Sequence, residues 1–115
     1  MSSPATPEVS ALPSGVGCEE CDETDGWWLH LRRCVECGHV GCCDSSPSQH
    51  GTAHYMATGH AIMRSFEPGE DWFWDYSVGA TTDPVSVSEP LSHPSEQTVP
   101  GPSERVPANW QELLH

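Results

Sequence analysis

Apolar and aromatic positions crowd into one stretch of the chain, between residues 17 and 79, and thin out on either side into Ser, Pro, Thr and Glu. Inside the crowded stretch the period changes several times. Trp27 to Leu31 (WWLHL) alternates as a strand does. Cys37 to Cys42 (CGHVGC) reads as a tight turn entering a short strand. Ser48 to Thr58 (SQHGTAHYMAT) predicts a helix: Pro47 precedes it, Ser48 is placed to cap it, and Gly59 stands where a helix stops. Ala61 to Phe66 (AIMRSF) and Trp72 to Val78 (WFWDYSV) predict two more strands, joined by the turn Glu67-Pro68-Gly69-Glu70. Short strands with one main helix give an α+β fold built on a short twisted sheet.

The flanks read differently. Residues 1–16 have no period and too little apolar material to offset the entropy of ordering. Residues 80–115 repeat that composition, so both flanks are expected to be disordered tails around a domain spanning 17–79. Asn109 to Leu114 (NWQELL) is the exception, a possible helical turn with Trp110, Leu113 and Leu114 on one side. Met1 to Val16 lacks the basic start and continuous apolar stretch of a signal peptide. No internal repeat is visible.

Composition then asks what holds so small a domain together. Only 36% of the 115 residues are hydrophobic, and 11 are Pro and 10 Gly. A segment of about 60 residues rarely buries enough apolar surface to stand alone and is usually stapled by disulfides or metal. Six Cys and seven His are present. An even Cys count fits disulfides, but Cys-x2-Cys pairs interspersed with His are metal ligands far more often than bridge partners. The net charge of −13 comes from 17 acidic against 4 basic residues. Such a chain repels phosphate backbones and anionic membranes, which excludes nucleic-acid and membrane-surface binding. No apolar run approaches the roughly 20 residues needed to span a bilayer. A cytoplasmic monomer is expected, and its charge suits a basic partner.

Two pairs carry the metal signal: Cys18-Glu19-Glu20-Cys21 and Cys34-Val35-Glu36-Cys37. Each spacing folds the backbone so that both sulfurs aim at one point about 2.3 Å away. Cys42, His50, His54 and His60 supply four further donors. Eight ligands fill two tetrahedral shells, and a filled shell marks structural zinc. Spacing does not fix how the eight divide. His50 and His54 lie four apart on one helix face and can serve one ion or two. Cys43 can stand in for Cys42, and His39 is a rival ligand. His30 is expected only to pack, and His93 and His115 lie in tail sequence with no role expected.

From Cys18 to Tyr76, about half the chain, the sequence resembles the ubiquitin-protease-type zinc finger of some deubiquitinases and a histone deacetylase. The resemblance is carried by CEEC, WWLHL, the CVEC-x4-C segment from Cys34 to Cys42, the run His50-x3-His54-x5-His60 with Gly59, and the closing Trp74-x-Tyr76. It implies one zinc held by Cys18, Cys21, Cys42 and His50 and a second held by Cys34, Cys37, His54 and His60. Some members hold a third zinc through Cys residues around the closing motif. Asp75 and Ser77 stand there in this chain, so two ions are expected.

Fingers of this type hold the free Gly-Gly tail of ubiquitin in a slot with an aromatic platform and an Arg. Trp28 matches the platform, and Trp74 and Tyr76 match the aromatics of the closing strand. Where ubiquitin-binding members have Gly-Arg-Tyr, this chain has Cys43-Asp44-Ser45, as do short, stand-alone, largely bacterial members. The resemblance therefore implies a recognition module of unknown ligand. A slot lined by Trp28, Asp44, Trp74 and Tyr76, with Glu70 or Asp71 near it, suits a basic or amine-bearing segment. Binding of a ubiquitin-like tail is one alternative, and a zinc or redox sensor working through its thiolates is another. An enzyme is not expected. His50-Gly-Thr-Ala-His54 has the spacing of a metalloprotease helix, but Gly51 stands where the catalytic Glu belongs, and eight ligands leave no position for water.

Overall fold

The computed structural model describes residues 12–115. Five short strands form one antiparallel sheet: β1 (Leu31–Cys34), β2 (Val40–Cys42), β3 (Ile62–Ser65), β4 (Phe73–Asp75) and β5 (Ala80–Thr82), in the order β2-β1-β3-β4-β5. The main helix, α2 (His50–Thr58), packs on β1 and β2. A single-turn helix, α1 (Glu19–Thr24), lies against β2. The α+β class with one main helix is as the sequence implies. Among the described residues no helix is long and apolar enough to cross a membrane.

Several elements differ in detail from the sequence pattern. The first strand begins at Leu31 rather than Trp27. Trp28 instead makes an isolated bridge to Gly101, with backbone bonds of 2.9 and 3.0 Å. Helix α2 starts at His50. Its cap is Gln49, in the left-handed region (φ 56°) and without a side-chain bond, rather than Ser48. Gly59 does end it, taking φ 78° and donating its N–H to the Tyr55 carbonyl at 2.8 Å. Helix α1 is too short to show a period. It is held by the Cys18 sulfur, which accepts from Cys21 N, and by Glu19, Glu20 and Asp22 in its first turn, where the helix dipole favours acids.

The core is small: Leu31, Val40, Met63, Phe66 and Phe73 are buried with five of the six cysteines. Its tightest point is the meeting of β2 and α2. A Cβ on Gly41 would lie 2.9 Å from the backbone N of Gly51, so only glycine lets His50 start its helix directly over Cys42.

Residues 83–115 contain little regular structure, in keeping with their composition, and several of them contact the body. The Arg33 guanidinium donates to the carbonyls of Ser88 and Pro90, and Arg64 donates to Leu91 at 2.7 Å. His93 is buried, contrary to the role-free placement that tail composition implied. Its backbone N donates to Phe66, its Nε2 faces Glu67 Oε1 at 2.9 Å, and its Nδ1 faces the Pro94 carbonyl at 2.8 Å. Glu67, itself 6% exposed, also accepts from Leu31 N at 2.7 Å. Trp110–Leu113 forms a 3-10 turn, after which His115 bonds to Ser45 and Pro47. At the other end, Ser14 ties to Gly38 and Val40, while residues 1–11 of the expected N-terminal tail lie outside the described residues.

Candidate metal centres and recognition slot

The first centre gathers Cys18 and Cys21 from the start of α1, Cys42 from the end of β2 and His50 from the first turn of α2. His50 Nδ1 lies 3.2, 3.3 and 3.6 Å from the sulfurs of Cys18, Cys21 and Cys42. The Cys21 and Cys42 sulfurs are 4.0 Å apart. A tetrahedral zinc with ordinary bond lengths sets sulfur–nitrogen edges of about 3.5 Å and sulfur–sulfur edges of about 3.8 Å. The four donors therefore already stand at the corners such an ion requires. The three sulfurs share hydrogen bonds: those from Cys18 and Cys21 hold the Cys42 thiol well below the ordinary thiol range, while the bonds of Cys18 to Cys21 and Cys42, with burial, push Cys18 above it. Sulfurs packed this way are suited to one shared divalent cation in place of protons.

The second centre gathers Cys34 from the end of β1, Cys37 from the turn after it, His54 from α2 and His60 from just beyond that helix. His60 Nδ1 is 3.6 Å from Cys34, and His54 Nε2 is 3.3 Å from Cys37. Burial, then the neighbouring His39 and His60, lowers the His54 pKa and favours the neutral imidazole that binds metal. All eight predicted ligands fall into these two clusters, which fit two structural zinc ions. His50 and His54, four apart on one helix, serve different centres, so α2 links both.

The rivals lie nearby but outside. The Cys43 sulfur faces Ser46 Oγ at 3.5 Å, not the cluster. Burial pushes that thiol up, but His30 and Ser46, helped by Arg32, hold it at about 7. His39 stacks on His54, with ring centroids 4.2 Å apart, and pairs with Glu20 at 2.8 Å. That pair ties the α1 loop of the first centre to the turn of the second, an outer layer that orients the ligands.

A slot of about 220 Å³ opens beside α2, lined by Arg32, Asp44, Trp72, Trp74 and Tyr76. Trp72, Trp74 and Tyr76 alternate along the chain and so face the same way. Arg32 lies over Trp72 with its guanidinium carbon 4.5 Å from the ring centroid. Asp44 accepts from the Thr52 hydroxyl, and Tyr76 stacks on Tyr55 at 5.2 Å. Burial raises the Tyr76 pKa, so its hydroxyl stays a donor. Three of the four expected slot residues, Asp44, Trp74 and Tyr76, thus meet. Trp28 does not join them. It is 6% exposed, packs with Cys18, Cys21 and Cys42, and borders a different cavity against residues 96–104. Glu70 bonds to Ser65, and Asp71 borders a third cavity beside Arg64. Sequence reasoning missed Arg32 and Trp72. The alternation of Trp72 with Trp74 was the available signal for the second.

The family model for the zinc finger in ubiquitin hydrolases and other proteins matches residues 18–86, which contain both centres and the whole slot. The chain belongs to this zinc-finger family. A protein of Rhodopseudomonas palustris, known from a solution NMR structure, is 42% identical to this finger, with a TM-score of 0.62, covering 79% of this chain and 85% of that one. No curated protein matches the chain. In this finger both zinc shells are complete, with four protein donors each. When bound, zinc supplies the crosslinks. The slot lies beside α2 and is lined by side chains outside both ligand sets.

Proposed function

We propose that this finger is a peptide-recognition module that holds the end of a peptide chain in the Arg32–Asp44 slot. One observation carries the reading: Arg32, fixed over Trp72, pairs with no carboxylate among the described residues yet lines an aromatic cavity. A guanidinium held in that way is a receptor for a carboxylate. Asp44 at the same slot accepts hydrogen bonds, and the N–H groups of a bound backbone are natural donors to it. The slot is therefore dipolar rather than purely acidic, as Asp44 alone had implied. At about 220 Å³ it is smaller than the roughly 300–1,000 Å³ typical of small-molecule sites, which suits a narrow chain end. Two complete zinc shells favour recognition over catalysis.

The test is calorimetric titration of the zinc-loaded protein with a peptide ending in a free Gly-Gly carboxylate, beside its C-terminally amidated twin. Micromolar binding that amidation abolishes is expected, and Arg32→Gln removes it too. A second reading, a basic or amine-bearing segment held by Asp44, rests on the overall charge of −13. It predicts that a lysine-rich peptide binds whether amidated or not, and that Asp44→Asn, not Arg32→Gln, abolishes it.

A further inference from the structure

The two zinc centres differ in charge. Three thiolates and one imidazole around a divalent ion leave one negative charge, whereas two of each leave none. The charged centre also has the less favourable surroundings, because α1 and its cap carry Glu19, Glu20, Asp22, Glu23 and Asp25. A negative cluster inside an acidic shell is stabilised by a fixed cation beside it.

The chain has four basic residues, all arginines. Arg32 lines the slot, and Arg33 and Arg64 reach the carbonyls of residues 88–91. Only Arg105 reaches α1. It sits in the 3-10 turn Ser103–Arg105, set by its own N–H to the Pro102 carbonyl at 2.9 Å. Its Nη1 donates to the Cys21 carbonyl at 3.1 Å, and its Nη2 donates to Asp22 Oδ1 at 2.7 Å. Its guanidinium carbon stands 5.7 Å from the centroid of Trp28, the ring that packs against the first-centre sulfurs. The Trp28–Gly101 bridge, four residues before Arg105, holds the segment in place.

We infer that Arg105 is the outer-sphere counter-ion and positioning residue of the first zinc centre, carried there by the C-terminal segment. Its planar fork grips the backbone of one ligand, Cys21, and the carboxylate beside it, which fixes the α1 loop. Its charge offsets the excess thiolate. The second centre, which is neutral, has Arg33 beside its ligand Cys34, with that guanidinium turned to the carbonyls of Ser88 and Pro90, and has His39 and Glu36 as further neighbours.

The test uses the full zinc-loaded chain and follows zinc transfer to a chromogenic chelator, which resolves the two ions as two phases. Cobalt-substituted protein assigns the phases, because a three-sulfur site gives a stronger thiolate-to-cobalt charge-transfer band than a two-sulfur site. Arg105→Gln is expected to speed release from the three-sulfur centre by about 10–100-fold and leave the two-sulfur centre unchanged. Arg105→Lys, which keeps the charge but not the fork, falls between, and raising the salt concentration narrows the gap between Lys and Gln. Equal acceleration at both centres overturns the proposal, since Arg105 then only holds the fold. So does an unchanged rate at the first centre. Near-ultraviolet circular dichroism of the loaded variants establishes that the fold is kept, and if Arg105→Gln fails this check, the Arg105→Lys comparison decides by the same criterion.

Discussion

Replacing Gly41 with Ala probes the contact on which the first centre depends. The new methyl would stand 2.9 Å from Gly51 N, 3.1 Å from Gly51 Cα and 3.1 Å from the His50 carbonyl carbon, where ordinary contact begins at 3.4 Å. All three atoms are backbone, so no rotamer change relieves the clash and α2 must withdraw from β2 by roughly half an ångström. Overpacking of this kind costs about 1–3 kcal/mol. Gly41 has no left-handed φ, so alanine adds no backbone strain and regains about 0.4–1 kcal/mol by restricting the unfolded chain. The net expectation is a loss of about 1–2 kcal/mol, a factor of roughly 5–30 in the folding equilibrium. Because the retreat carries His50 away from Cys42, whose sulfur accepts from His50 N at 3.2 Å, zinc affinity falls at the first centre. Urea unfolding at buffered free zinc measures the stability, and chelator competition measures the affinity. Gly69→Ala serves as control: it lies in an open turn with φ 84°, and should cost stability through strain without touching either zinc. A Gly41→Ala protein matching the parent in both assays would refute the claim that β2–α2 contact sets the ligand geometry.

Three further outcomes are expected. His93→Ala leaves the Glu67 carboxylate buried without its partner and should cost about 3 kcal/mol in urea unfolding, with faster amide exchange across residues 88–101; a loss under about 1 kcal/mol would show the pair to be idle. Peptide binding in the slot should change tryptophan fluorescence through Trp72 and Trp74, so Trp74→Phe diminishes the signal while Trp28→Phe retains it; the reverse pattern would move the site to the other cavity. Stripping zinc with a chelator should abolish cooperative unfolding, and re-adding zinc should restore it, because so small a core depends on its metal crosslinks. Native circular dichroism in the stripped protein would contradict that dependence.

The eight zinc ligands were legible because metal chemistry leaves a signature in local spacing, and the Cys-x2-Cys pairs need no tertiary information to be read. Helix α2 and the approximate positions of β2, β3 and β4 were legible from the local pattern, whereas β1 begins only at the end of the stretch that predicted it. What escaped depends on long-range placement. Trp27 and Trp28 are adjacent and chemically alike, and only the Gly101 bridge, far along the chain, decides that Trp28 turns inward. Arg32 looks like any charged residue on a half-buried strand until β4 is laid beside β3 and brings Trp72 over it. The contacts of residues 83–105 with the sheet escaped for the same reason: composition measures what a segment can bury by itself, not which carbonyls and imidazoles a neighbouring sheet will engage. The Glu67–His93 pair spans 26 residues and joins two sequences that look unrelated.

The attachment of Arg105 to Cys21, across 84 residues, also sets an order of events during synthesis. The last zinc ligand is His60, so all eight donors have been synthesised before residue 105 is added. At about 5–20 residues per second, synthesis of the intervening 45 residues takes roughly 2–9 seconds. All eight donors therefore precede the inferred clasp in the order of synthesis. If Arg105 is the clasp, the direction in which the chain is made puts the donors for loading before the residue for retention.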